Sequence, residues 1–398
     1  MVYNNVIVDL ISLNLITTGG SLMKPMKRLF SLLLITVLLL GLAACGGKNE
    51  PTDTQANLPV SSDSDVQNEN GNVNNGPTVV YTNPLTGLPT DETGVSARPV
   101  AIMINNIKQS LPQEGVSDMD ILMECLVEGS ITRLMGICSD YKSIDTVGSI
   151  RSARPYYLDF AQAFDAIYCH VGGSAQANAE IKSRSIDDLD DTKRDPLNIF
   201  YRDPERLKTM ATEHTMMTTG EGLVKSIEHL KFRTAIRTGY AYPFTFPEEG
   251  TTVQVGTQDA KHIYVPMSGY QKVDYVYDET TKEYLRYQYN GQKHIDINND
   301  KQLSFKNVIL MFCDTKVIDK TGHLEITTTG TGNGYLISEG KYAPITWSKA
   351  DRDGNLTLTD NATGKTIVIN RGKTAINVCT LDTESKINMN ATDRTVSK

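Results

Sequence analysis

Ala166-Ile167-Tyr168-Cys169-His170-Val171 runs directly into Gly172-Gly173 and then Ser174. A short apolar run closed by glycines predicts a buried strand, and serine is a favoured helix N-cap, so the stretch reads as strand, tight turn, helix. The same alternation continues outward. Upstream, Tyr156 to Phe164 has helical spacing, with Pro155 at the favoured first helical position. Arg98-Pro99-Val100-Ala101-Ile102-Met103-Ile104-Asn105 predicts another buried strand, and 120–127 with 131–138 predict a hairpin around Glu128-Gly129-Ser130. Downstream, a further helix is expected from Glu221 to Leu230. Strand and helix in alternation define an α/β (or α+β) domain over 79–240.

Beyond that domain the character changes. Lys272 to Tyr277 and Glu283 to Tyr289 alternate in polarity, and Asn290-Gly291 is a strong hairpin turn. Strands are expected at 306–313, 323–328, 334–338, 342–347, 355–359, 365–370 and 373–379. The result is a β-rich second domain over 241–385, with a short tail at 386–398 and no internal repeat.

The N-terminus is of another kind. Lys24, Lys27 and Arg28 precede an apolar run from Leu29 to Leu42, too short to span a membrane comfortably, which ends in Leu42-Ala43-Ala44-Cys45-Gly46. Small residues before a cysteine are what a lipoprotein signal peptidase reads. Residues 1–44 are therefore expected to be a removed signal peptide and Cys45 the lipid acceptor. Residues 1–22 lie ahead of the charged region, and Gly19-Gly20 fits a ribosome-binding site read in frame, so the true start is expected at Met23. From 46 to 77 the chain is polar with almost no large apolar residue, which predicts that 45–78 is a lipidated cysteine and a disordered stalk. The expected location is the outer face of the cytoplasmic membrane.

Cleavage leaves 354 residues with five cysteines after Cys45, an odd number with no C-x-x-C pair. Those cysteines sit in apolar runs and are expected to be small buried hydrophobes. A net charge of −8 argues against nucleic acid as the main partner, since phosphate backbones need a basic face.

Asn83-Pro84-Leu85-Thr86-Gly87-Leu88-Pro89 resembles the start of the YerB-like lipoproteins, a bacterial family of unknown function. The resemblance continues through Ala97 to Asn106, Val127 to Arg133, Gly148 to Tyr156 and His170 to Ser174. In the second half it takes in Asn290-Gly291 with His294, and Arg371-Gly372-Lys373-Thr374. His214-Thr215-Met216-Met217-Thr218 departs from the family's expected His-Asn-Leu-Tyr-Thr. The resemblance implies an N-terminal and a C-terminal family domain on a lipid anchor. It supplies no chemistry, so site residues come from the residues themselves.

Glu124 and Glu128 are the candidate catalytic pair. Four residues apart, they share a face on either a helix or a strand. On a strand they stand about 13 Å apart, beyond the roughly 5–9.5 Å of paired glycosidase carboxylates, so one acting alone is the expectation. Apolar Leu122 and Leu126 favour Glu124 as a general acid. The plainer alternative makes Glu128 a turn residue and pairs Glu124 with Arg133. The second candidate is an anion pocket. Arg151 and Arg154 flank a helix start, where cations oppose the macrodipole unless an anion sits among them. Gly172-Gly173 and Ser174 open another helix in the same way. If the two starts converge, Arg133, Arg151, Ser152, Arg154, His170, Gly173 and Ser174 bind an anionic ligand at the strand C-termini. The alternative pairs the arginines with Asp140, Asp145 or Asp159.

Gly364-Lys365-Thr366 and Gly372-Lys373-Thr374 lack the remaining glycine of a P-loop, and no G-x-S-x-G elbow occurs. His170, His214, His294 and His323 have no ligand spacing, so neither metal nor cofactor is expected. Three classes remain open: a glycan-cleaving envelope enzyme, a binder of anionic cell-wall polymer or a small anion, and an adaptor lipoprotein.

Overall fold

The computed structural model describes residues 81–191 and 197–396. The expected signal peptide, the expected lipid acceptor Cys45 and the expected stalk lie outside the described residues. From Asn75 on, the chain forms one compact unit.

The longer elements, labelled in chain order, are strands β1 (Val100–Asn105), β2 (Ile121–Leu126) and β3 (Thr132–Cys138), helix α1 (Pro155–Ala163), strand β4 (Ile167–His170), helix α2 (Ala175–Ser183), strand β5 (Asp188–Asp190) and helix α3 (Gly220–Leu230). The second half adds β6 (Gln258–Asp259), β7 (His262–Val265), β8 (Val273–Asp278), β9 (Glu283–Gln288), β10 (Asn307–Cys313), β11 (Thr315–Val317), β12 (Leu324–Ile326), β13 (Gly330–Ser338), β14 (Lys341–Lys349), β15 (Leu356–Asp360) and β16 (Thr374–Thr380). The architecture is the expected α/β first part followed by a strand-rich second part.

Both parts share one sheet of 11 strands in the order β6-β14-β13-β10-β16-β2-β3-β1-β4-β5, with β15 on the far side of β14. β16, almost the last element, lies parallel between β10 and β2, pairing Ile376 with Ile309 on one side and Met123 on the other. The change of sequence character at 240 is thus crossed by a continuous hydrogen-bonded ladder.

The central strands are apolar throughout because both faces are covered. Ala101 and Met103 of β1 enter one core with Tyr156, Tyr157 and Phe160 of α1 and Ile181 of α2. Val100, Ile102 and Ile104 enter another with Leu223 and Ile227 of α3 and with Ile263, Val273 and Tyr275 of the β7–β9 meander. β10 divides in the same way, Ile309 and Met311 to the first core and Val308, Leu310 and Phe312 to the second. Among the described residues none of Cys125, Cys138, Cys169, Cys313 and Cys379 forms a disulfide, and all five are buried.

The hairpin at 120–138 forms, with Leu126 opposite Thr132 and Gly129 at φ 69° in its turn. The strand expected at 365–370 does not. Ile367 and Ile369 are buried as that pattern requires, but the backbone makes only single bridges, Thr366 to Thr359 and Val368 to Thr245. Its donors and acceptors are divided between two neighbours that never run alongside for two consecutive residues.

Candidate functional site

Residues 149–153 lie extended beside β1 and are tied on both flanks. Asn105 N–H donates to Ser149 O (2.8 Å) and Arg151 N–H to Met103 O (2.9 Å). On the other flank Ala153 N–H donates to Gly172 O (2.9 Å) and Ser174 N–H to Ala153 O (3.3 Å). This pairing brings the starts of α1 and α2 together at the C-terminal end of β4. Gly173 is pressed against that junction: a Cβ there would sit 2.7 Å from Asn178 Oδ1 and 3.3 Å from the Ala153 Cβ. Ser174 caps α2, its Oγ accepting from Ala177 N–H at 3.1 Å. Pro155 occupies the first turn of α1, where no N–H is needed.

Three arginines surround the junction. Arg154 forms a two-pronged ion pair with Glu128, Nε to Oε1 at 2.5 Å and Nη2 to Oε2 at 2.9 Å. Arg133 is 5% exposed and donates to Ser152 O at 2.6 Å. Arg151 donates to Glu213 O at 2.7 Å, and its Nε is buried without a hydrogen bond. Among the described residues Glu128 is the one carboxylate ion-paired to this trio. Burial, followed by the charges of Arg154 and Arg151, lowers the Arg133 pKa to about 10, so it remains a cation at neutral pH. Asp140, Asp145 and Asp159 do not hold these arginines. Asp159 instead binds Arg184 and Arg352.

Arg154, Ser174 and Gln176 line a cleft of about 200 Å³ with Ile318, Asp319, His323 and Leu324 of the β11–β12 hairpin. An adjoining hollow of about 260 Å³ shares Pro155, Gln176 and Leu324 and extends to Thr327, Thr328 and Arg352. The two hollows meet at Pro155, Gln176 and Leu324, beside the start of each helix. His323 Nδ1 lies 2.6 Å from Asp319 Oδ2, and its Nε2 is 3.7 Å from Glu128 Oε1. The hairpin enters the site from more than 140 residues away in sequence, with no local motif announcing it. A larger hollow of about 480 Å³, lined by Asp91, Asp140, Lys142 and Glu228, includes no arginine and no paired helix starts.

The structure corrects the placement of three expected site residues. Glu124 does not face a substrate. It is 2% exposed, and its carboxylate accepts from Asn106, Thr132 and Gln271 at Oε1 and from Arg286 and Asn377 at Oε2. Its partner is Arg286 of β9 at 2.7 Å, not Arg133. This is an internal ion pair fastening the meander to the central sheet. Glu128 is no apolar-pocket acid either. Burial raises its pKa, but the hydrogen bond and charge of Arg154 outweigh that and hold the carboxyl below its ordinary value. His170 is wholly buried beneath the junction, outside the cleft, with Nδ1 donating to Gly172 O at 2.7 Å.

An α/β sheet that takes its last strand between two halves, with a cationic junction at two helix starts, defines a two-part protein built on one shared sheet. The chain belongs to the YerB-like family. Residues 85–233 match the family model described as "Protein of unknown function (DUF3048) N-terminal domain", and 263–376 match the corresponding C-terminal domain. A relative from Bacillus subtilis (strain 168), described as "Putative lipoprotein YerB", is 28% identical over 67% of this chain and 78% of its own. The crystal structure of the YerB protein from Bacillus subtilis is similar at a TM-score of 0.66 and 26% identity, covering 77% of this chain and 98% of that one. Kinship with a lipoprotein supports a membrane-anchored surface location. No helix among the described residues is long and apolar enough to cross a membrane.

Proposed function

We propose that the chain is a lipid-anchored, non-catalytic receptor for an anionic polymer of the cell envelope, tethered through Cys45 at the outer face of the cytoplasmic membrane. The supporting observation is the cationic character of the junction: three arginines and two helix N-termini, with Glu128 the one carboxylate ion-paired to that trio among the described residues and Asp319 of the cleft paired with His323. A phosphate or carboxylate on a wall polymer supplies the missing negative charge. Glu124 and Glu128 are both committed to arginines, so the proposal contains no bond-breaking step.

The test uses mature protein in detergent micelles, sedimented with isolated cell walls that retain their anionic polymer or have been acid-stripped of it. Hydrogen bonds to charged groups contribute about 1.5–3 kcal/mol. Changing Arg151 and Arg154 together to Gln should therefore weaken binding to intact walls at least about tenfold. Binding should also decline as salt rises. Equal binding to stripped walls, or by the double variant, would overturn the proposal. So would release of soluble wall fragments, which would restore an enzymatic reading.

A further inference from the structure

His323 stands between two carboxylates that come from different halves of the chain. On its own hairpin, Nδ1 lies 2.6 Å from Asp319 Oδ2 and 2.8 Å from the Thr321 hydroxyl oxygen. Asp319 is itself fixed. Its Oδ1 accepts from Thr321 N–H at 2.9 Å, from the Thr321 hydroxyl at 2.6 Å and from His323 N–H at 3.1 Å. An ionised carboxylate only accepts, so Nδ1 carries a proton and the orientation of the ring is set. Nε2 is thereby turned towards Glu128 Oε1, 3.7 Å away. That same oxygen is held by Arg154 Nε at 2.5 Å.

Without a second ring proton, a lone pair on Nε2 faces the Glu128 carboxylate. With one, the ring is a cation flanked by Asp319 and Glu128. Glu128 then has two cationic partners, Arg154 on one side and His323 on the other. The His323 side chain is 33% exposed and lines the cleft with Arg154, so it exchanges protons with solvent where a ligand would enter. Imidazole is the side chain whose charge ordinarily changes between about pH 5 and 8.

We infer that His323 couples anion binding in the cleft to uptake of a proton: the incoming anion takes Arg154, and Glu128 passes from that guanidinium to the protonated imidazole. This rests on the polymer-binding reading and adds the regulation of that site. The ring proton is present at low pH, so affinity rises as pH falls. Linkage is reciprocal, so binding in turn draws a proton onto the ring. Asp319 keeps its hold on Nδ1 in both states and serves to aim the ring.

The test is calorimetric titration of mature protein in detergent micelles with poly(glycerol phosphate), whose phosphodiesters stay ionised throughout. Titrations at about pH 8, 6.5 and 5.5 in buffers of different ionisation enthalpy read affinity and proton uptake together. Wild type should bind at least about fivefold more tightly at the lowest pH than at the highest, with a fraction of a proton taken up per site between them. His323→Gln should abolish the uptake and the pH response. His323→Lys, permanently charged, should bind tightly at both extremes. An unchanged pH response in His323→Gln, or wild-type binding without proton uptake, would overturn the coupling and leave the polymer reading standing. Absence of binding at every pH would overturn the polymer reading and the coupling with it.

Discussion

Glu128 is held ionised by Arg154, and that fixes the sign of what its removal should do. In a receptor the carboxylate competes with the ligand for the same guanidinium. Glu128→Gln should therefore tighten binding of an anionic wall polymer by about three- to tenfold, an ion pair of this kind being worth roughly 1 kcal/mol. A proton donor in its place would instead lose function. Calorimetric titration of the variant with purified polymer separates the two outcomes. The depressed pKa adds a pH signature. A carboxyl whose folded pKa is lowered contributes stability above its unfolded value and loses it as pH falls through the folded one. The melting-temperature advantage of wild type over Glu128→Gln should accordingly be full at neutral pH and shrink as pH drops below 4.5. At this scale the sequence exposed Arg151, Arg154 and Ser174, because a proline, two glycines and a serine mark helix starts locally. It could not show that Arg286 takes Glu124, or that His323 joins the cleft. Both contacts cross from one half of the chain to the other, and no spacing rule reaches that far.

Among elements, α2 carries the most direct test of how the junction is built. Ser174 supplies the side-chain cap of a helix of nine residues. Ser174→Ala should cost about 1 kcal/mol of stability, and Ser174→Gly only a few tenths, measured by urea denaturation with an unchanged slope. A loss of several kcal/mol would mean that the hydroxyl does more than cap. The helices and the first hairpin were legible because their signals are local: Pro155 at the first turn, Ser174 at the cap, Gly129 at the bend. β1 and β10 were legible as continuous apolar runs, the pattern of strands covered on both faces. Residues 365–370 carried a strand's alternation without a strand's ladder, since burial of Ile367 and Ile369 sets the pattern while pairing depends on what lies alongside.

On the scale of the whole molecule, the two family domains are joined through β16, whose neighbours are β10 from its own half and β2 from the other. Severing the chain near 240 should leave a first half with an unpaired β2 edge and a second half whose Arg286 has lost Glu124. Each piece expressed alone should give poorly dispersed amide spectra, and mixing the two should restore dispersion together with cooperative unfolding. Two independently folded pieces would show instead that the ladder contributes little to either half. Such a split was not legible beforehand, because a shift in composition marks where one pattern stops and another begins, whereas sheet partners are set by topology. The position of β16 also has a meaning in time. A chain made from its N-terminus onward offers the slot between β2 and β10 long before it delivers the strand that fills it, at 374–380 of 398. A product terminated before 374 is left with open sheet edges on β2 and β10, which quality-control proteases can recognise.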